Sequence, residues 1–517
     1  MAHAIGIDVG TTNTKVVLVS EDGALVAAAS RSIPMTRSGP AAEQDAEALW
    51  AAVEGALSEL TAAHPGRAAD VRAIGTCSQY SSIVAVDGGG RPTAPMRLYL
   101  DTRGTDRAMA VLRDHPDAFA TWIEHHGIPP IGGGLSLAHI LHLQQDRPAV
   151  HEATDAYLEP MDFVNLRLTG RVTATQCTMF AGQLCDNRSL GATTYDAELV
   201  AMAGVDATRL PPLVSPDAVI APVLPDLAAR LGLRNDTVVI AGMNDTHAGA
   251  FATGAFGDGR GGLVIGTTAV LLETVDHLAV DLDHEVLSMP SPVAGRYLVC
   301  AENGMAGKSV EHVLGELLRP EDALAAAGGT VDPFASLDAV LAASEPGAGG
   351  AMFLPWLAGS MAPRGDATMR GGFVNLSLDT RRIDLVRAAV EGTAHNLAWL
   401  LPAVEAFTGR RNQVVVFGGG AARSAGWAQV VADVLGVTIR TLRHPAHANA
   451  RAVALVARRR AEGRTAADLG DLVEVEATYE PDTAAHRLHA ARQAPFEAAF
   501  DALRPIVAAL HPPPEDG

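Results

Sequence analysis

Asp8 closes the apolar run Ile5-Gly6-Ile7 and is followed by Val9-Gly10-Thr11-Thr12-Asn13-Thr14-Lys15. Glycine and small hydroxyl residues in a tight turn let successive backbone N–H groups point at one anion, as a phosphate requires. An aspartate just before such a turn can hold Mg2+, directly or through water. Lys15 adds a point charge near the phosphates. Taken alone, the stretch reads equally well as a hairpin turn with a solvated aspartate. Repetition shifts the balance, because Gly261-Gly262-Leu263-Val264-Ile265 leads into Gly266-Thr267-Thr268 and then into Ala269-Val270-Leu271-Leu272. Two such turns, one from each half of the chain, would clamp a polyphosphate between them.

Two further stretches carry chemistry. In Gly242-Met243-Asn244-Asp245-Thr246-His247, an aspartate follows the strand-like Val238-Val239-Ile240-Ala241 and precedes a small-residue helix. A carboxylate beyond a strand's carboxyl end can take a proton from an attacking hydroxyl. It can equally cap the helix that follows, and the local sequence leaves both readings open. His247 reads as structural. In Gly418-Gly419-Gly420-Ala421-Ala422-Arg423-Ser424, three glycines after Val414-Val415-Val416-Phe417 permit close approach of a flat ligand, and Ser424 suits the N-cap of the next helix. Gly304-Met305-Ala306-Gly307-Lys308-Ser309 ends like a Walker A loop, but its first glycine would fall on Glu302 and no buried strand is expected to lead straight into it. The P-loop reading is rejected.

The elements that must position these residues alternate strand and helix, an α/β pattern. A strand–turn–strand unit opens each half. Leu49, Trp50, Val53, Leu57 and Leu60 recur at helical spacing and predict a helix from Asp45 to Leu60. Ile74 and Ile83–Val86 read as strands, with a turn at Asp87–Gly90. Residues 105–235 mix helices with proline-containing turns and are expected to hold substrate-facing insertions. A long amphipathic helix is predicted over Ile383–Phe407. Segments 322–331 and 340–350 read as loop, and 511–517 as a frayed tail.

Lys+Arg 39 against Asp+Glu 59 gives a net charge of −20, which argues against a nucleic-acid surface. Cys77, Cys177, Cys185 and Cys300 form no CxxC pair, so reduced thiols are expected rather than a zinc site or a disulfide framework. Neither a signal peptide nor an apolar stretch long enough to cross a membrane is read, and a cytoplasmic location is expected.

Together these stretches resemble the FGGY family of carbohydrate kinases, of the sugar kinase, Hsp70 and actin superfamily. The resemblance runs from about residue 4 to residue 460. Further matches are Glu43-Gln44-Asp45 through Trp50 (the family's early helix), Leu98-Tyr99-Leu100-Asp101-Thr102-Arg103, Asp162-Phe163 through Leu168-Thr169-Gly170, and Arg370-Gly371-Gly372-Phe373 through Glu391-Gly392. It implies two RNase H-like (actin-like ATPase) domains around a central cleft, here 1–252, mainly sugar-binding, and 253–517, mainly ATP-binding. By the same resemblance Asp245 is the catalytic base and Asp8 assists Mg2+. Gly10, Thr11, Thr12, Asn13 and Lys15, with Gly266 and Thr267, would hold the phosphates of ATP. Gly419, Gly420 and Ala421, with Ser424 and Gln429, would lie against adenosine. Gln79, Tyr80, Ser81, Asp101, Arg103 and Asn244 would face the acceptor.

The departures concern the acceptor. Gln79-Tyr80-Ser81-Ser82 replaces the Gln-Met-His-Gly of xylulose kinases, and Lys308 occupies a region that is often aromatic. The expected activity is ATP-dependent phosphorylation of a hydroxyl of a small sugar or polyol, first a ketopentose such as xylulose. The alternative is a catalytically silent kinase-like regulator that binds nucleotide or sugar. A homodimer would be compatible with either.

Overall fold

The computed structural model describes residues 3–257, 260–318, 332, 334–465 and 473–510. Two sheets repeat one strand order. In the first, Leu25–Ser32, Asn13–Val19 and His3–Val9 run as an antiparallel meander, and Val71–Ser78 and Val238–Ile240 add on in parallel beyond His3–Val9. In the second, Tyr297–Met305, Thr268–Val275 and Gly261–Ile265 form the meander, and Val414–Gly418 and Thr438–Leu442 add on in parallel. The echo of Gly-Thr-Thr in the sequence is therefore an echo of topology. Each Gly-Thr-Thr turn is the bend of its opening hairpin.

The helix Ala46–Ala63 is capped by Asp45, whose carboxylate accepts from the Glu47 N–H at 2.9 Å. Its apolar stripe, Leu49, Trp50, Val53, Leu57 and Leu60, packs on the first sheet as the spacing predicts. Glu43 and Gln44, read as part of this helix, lie instead in a short strand, Ala41–Gln44. The long helix Arg382–Thr408 matches its expected span and forms the core of the second half. Segment 340–350 is not all loop: Val340 to Ala342 end the helix Leu337–Ala342. Leu341 is buried there. Segments 322–331 and 511–517 lie outside the described residues.

Two helices cross between the sheets. Asp245–Thr253, which closes the first half, packs on the second sheet through Gly249 against Val264 and Leu272. Ala448–Ala461, near the end of the second half, packs on the first. A Cβ at Gly6 would lie 1.8 Å from the Ala450 carbonyl oxygen, and one at Gly75 would lie 2.5 Å from that of Val453. These are approaches that only glycine permits. Arg451 donates to the carbonyl of Gly23, and Arg458 to those of Ser20 and Glu21, so the same helix also grips the turn that joins Asn13–Val19 to Leu25–Ser32. The wall of the cleft is thus built from both halves of the chain. Among the described residues no helix is long and apolar enough to cross a membrane.

The segment Gly304–Ser309 differs from expectation. The strand Tyr297–Met305, mostly buried, runs straight into the helix Gly307–His312. The amides of Ala306 and Lys308 donate to the Thr267 carbonyl at 3.1 and 3.2 Å, so this turn buttresses the second Gly-Thr-Thr turn.

Candidate active site

Parallel register brings three strand ends together. Asp8 pairs with Cys77 and Val9 with Ser78, while Met243 and Asn244 pair with Cys77 and Ser78 from the other side. Asp8, Gln79 and Asp245 therefore emerge side by side at the carboxyl edge of one sheet, where ligands of α/β proteins bind. Asn244, not Asp245, is the helix cap, its side-chain oxygen accepting from the His247 N–H at 2.8 Å. Asn244 is fully buried, and its amide nitrogen has no partner. Asp245 opens the helix with its carboxylate released from capping. His247 is anchored to the Pro290 carbonyl at 2.8 Å, in keeping with a structural role.

Burial pushes Asp245 up to about 7, and the charges of Asp8 and Glu302 add to the rise against the Thr246 N–H. Burial also raises Asp8, opposed by Lys15 at 3.9 Å and by the Cys77 thiol, whose sulfur lies 3.7 Å from Asp8 Oδ1. Two carboxylates in a low-dielectric recess repel each other unless a cation lies between them. This donor chemistry fits Mg2+, with Asp8 as the carboxylate that would hold it beside Asp245. Among the described residues no group of three His, Cys, Asp or Glu could hold a metal alone. Water and phosphate oxygens would complete the shell, as is usual for this ion.

The first turn is braced on the side of Gln44 and Gln79. The Thr11 hydroxyl donates to Gln79 Oε1 at 2.6 Å, the Thr11 carbonyl accepts from Gln44 at 2.6 Å, and the Gln79 amide donates to the Val9 carbonyl at 2.8 Å. Gly10 donates to the Asn13 carbonyl at 3.0 Å, closing the turn and leaving Thr12 and Asn13 exposed. Tyr80 packs in the same cluster as Cys300, with Glu302, Asp245 and Thr246 nearby. Ser81 adopts a left-handed backbone, φ 59°. That strained turn is held from behind: Ser82 N–H donates to buried Glu159 at 3.1 Å, the Ser136 hydroxyl donates to the same carboxylate, and His139 contacts the Ser81 carbonyl at 3.2 Å. Asp101 is 1% exposed. It accepts from the Ala42 and Arg103 amides and from the Arg103 guanidinium. Arg97 and Glu43 complete that ion-pair network. Arg103 is thus held in place by Asp101, and of the pair it is the more exposed.

The other side holds a cavity of about 370 Å3, lined by Gly266, Thr267, Lys308, Gly420, Ala421 and Ser424 with the rings of Phe334 and Trp427 deeper in. Those rings stack at 6.4 Å. Ser424 caps the helix Ala425–Leu435 as expected, and its hydroxyl donates to Asp338. Gly419, with φ 83°, would put a Cβ 2.4 Å from the Ile265 carbonyl oxygen, so only glycine lets the loop lie beside the second turn. Gln429 does not line the cavity. Its amide donates to Asp433 and to the Glu480 carbonyl, tying the helix to the strand that follows Thr438–Leu442 in the sheet.

Two adjoining family models match the chain: the N-terminal domain of the FGGY carbohydrate kinases over residues 3–252, and their C-terminal domain over 261–460. The chain belongs to the FGGY family of carbohydrate kinases. It is 26% identical to a xylulose kinase of Staphylococcus epidermidis over 514 residues, 98% of each chain. It is 25% identical to a gluconokinase of Bacillus subtilis over 438 residues, 84% of this chain and 83% of that one. The crystal structure of xylulose kinase from Rhodospirillum rubrum superposes with TM-score 0.82 at 26% identity, covering 98% of this chain and 99% of that one. The two-domain actin-like fold is thereby established, and family membership brings a small-molecule sugar as acceptor and ATP as donor.

The kinase brings together more residues than sequence reading marked. Gln44, Cys77 and Glu302 join the carboxylate recess only through cross-strand register and domain packing. Lys308, assigned from sequence to the acceptor side, lines the cavity beside Thr267 and pairs with Glu311 at 3.1 Å. The one sequence signal for it was the rejected Gly-Lys-Ser, which marks a real strand-to-helix turn.

Proposed function

We propose that this FGGY kinase transfers the γ-phosphoryl group of ATP to a hydroxyl of a small sugar or polyol, first a ketopentose such as xylulose, in the cytoplasm. The observation that carries the reading is the position of Asp245. It emerges beside Asp8, which precedes the first Gly-Thr-Thr turn, and feels the charges of both Asp8 and Glu302, the latter on the strand paired with that of the second turn. ATP lies in the cavity of Gly420, Ala421 and Ser424, its phosphates reaching between the two turns. The acceptor lies against Gln79, Tyr80 and Arg103. Asp245 takes the proton of the attacking hydroxyl as its oxygen bonds to the γ-phosphorus. The bond from that phosphorus to the β-γ bridging oxygen breaks, and ADP departs. A carboxylate raised to about 7 is a stronger base than an ordinary aspartate and is still ionised at slightly alkaline pH. Asp8 is the residue that would hold Mg2+, and the bound ion would supply neutralisation of the charge that builds during transfer. Lys15 and the turn amides supply the rest of that stabilisation.

ADP release measured across ketoses, polyols and gluconate tests the reading. Turnover above background with at least one acceptor is expected, and ATP hydrolysis indifferent to every acceptor would overturn it. Nothing in the cleft favours a catalytically silent regulator, since the carboxylates and both turns are intact. Tyr80→Phe removes a hydroxyl that lies near Thr246 and Asp245 and is proposed to meet the acceptor. It is expected to raise the acceptor KM by about 2- to 10-fold, the range for one lost hydrogen bond, with the ATP KM within twofold. Equal changes in both KM values would count against Tyr80 as an acceptor-side residue.

A further inference from the structure

Glu302 is a part-exposed carboxylate on the strand Tyr297–Met305 that the transfer step does not use. Alternate residues of a strand share a face. Along Tyr297–Met305, Leu298 and Cys300 pack into the cluster between the two sheets, with Tyr80, Met243 and Ala248. Val299 and Ala301 point the other way, into the core of the second half. Glu302 follows Leu298 and Cys300 on the interdomain face, one step further toward the open edge. There it meets the fields of Asp245 and Tyr80, the residues assigned to the reacting hydroxyl and to the acceptor turn. The Thr268 side chain lies near its carboxylate, and the strand is locked by pairing of Glu302 with Val270.

Resting on the kinase reading, we propose that Glu302 is an acceptor-binding and specificity-determining residue: the nucleotide-side domain reaches across the cleft with it, accepts hydrogen bonds from acceptor hydroxyls near the reacting one, and disfavours anionic acceptors. A carboxylate is an acceptor-only group, suited to the vicinal hydroxyls of a ketose or polyol. The charges around it sharpen the bias. Asp8 and Asp245 lie on the same recess, and Lys15 is engaged with Asp8. Toward the acceptor side, Arg103 and Arg97 are both paired with Asp101 and Glu43. A sugar acid would bring a further negative charge among these carboxylates with no uncommitted guanidinium in that network to receive it. The acceptor class is therefore an uncharged polyhydroxyl compound, and Glu302 is the residue whose change would relax that choice.

The test compares Glu302→Gln and Glu302→Ala with the wild type at pH 8, using xylulose and gluconate as acceptors and ADP release as readout. Wild-type kcat/KM is expected to favour xylulose. Glu302→Ala is expected to raise the xylulose KM tenfold or more with the ATP KM within about twofold. Glu302→Gln keeps a hydrogen-bond acceptor without the charge, so it should recover part of the xylulose affinity and shift the kcat/KM ratio toward gluconate several-fold. A merely structural role would move the ATP and acceptor constants together and leave the ratio where it was, and that result overturns the proposal. So does a wild type that prefers gluconate. An enzyme that releases no ADP with any acceptor sinks the kinase reading and this proposal together, whereas an unchanged ratio among active enzymes sinks this proposal alone. Melting temperatures of the three proteins identify a variant that fails to fold. In that event calorimetric titration of the wild type with xylulose and with gluconate decides: tighter binding of gluconate refutes the assignment, and tighter binding of xylulose supports it.

Discussion

Asp245→Asn is expected to lower kcat by about 10²- to 10⁴-fold, the range for loss of a positioned general base, while ATP still binds. Asparagine keeps the shape and the place at the start of the helix Asp245–Thr253, and Asn244 still caps that helix. The pH profile separates a lost base from a damaged fold. Proton transfer needs Asp245 ionised, so wild-type kcat/KM should fall as pH drops through about 7. The variant's residual activity should lack that limb. The same substitution is expected to stabilise the ligand-free protein at pH 8. Asp245 has a raised folded-state pKa, so its contribution to stability is fully present below the ordinary aspartate range and is lost as pH rises through about 7. At pH 8 the folded protein bears that loss and the asparagine variant does not. A melting temperature above wild type at pH 8, converging with it at acid pH, is the expected pattern. A variant with near-normal turnover would remove Asp245 from the proposed role. One that melts lower at every pH would show that its carboxylate is not under the strain described.

Gly6→Ala is expected to cost about 3 kcal/mol of stability, the upper part of the usual range for overpacking a core. The Cβ it adds would lie 1.8 Å from the Ala450 carbonyl oxygen. That oxygen is backbone inside the helix Ala448–Ala461, so no side-chain rotation can relieve the contact. The helix itself must move. Because it separates the two sheets, the displacement should widen the cleft as well as destabilise the fold. A urea titration should show an earlier midpoint, and the ATP and acceptor KM values should both rise. That joint change is the opposite of the split expected for Tyr80→Phe. Wild-type stability and kinetics in Gly6→Ala would mean that this packing is looser than the 1.8 Å approach requires.

Much of this molecule was legible before any coordinate. The strand–turn–strand units at Asp8 and Gly266 could be read because a hairpin needs only local chemistry: apolar alternation, a glycine, and small hydroxyl residues at the bend. The helix from Asp45 was readable because its cap and its apolar stripe are neighbours in sequence. Ser424 announced itself as a cap for the same reason. Two readings that the local geometry did not follow share a cause too. Asp245 as a possible cap and Gln429 as an adenosine contact are each plausible from neighbours in the chain. The first was displaced by Asn244 one residue earlier, the second by Asp433 and the Glu480 carbonyl, which lies 51 residues further on.

By itself the sequence determined the α/β pattern, the duplicated hairpins, and the residue types able to handle phosphate and proton. Periodicity and turn preference act over a few residues, and they are written in order along the chain. Tertiary structure alone decided that Asp8 and Asp245 share one recess with Glu302 nearby, and that Lys308 lines the cavity beside Thr267. Those facts depend on register between strands and on two helices crossing between sheets. Pairings of that kind are set by packing of the whole core, which no short window of sequence contains.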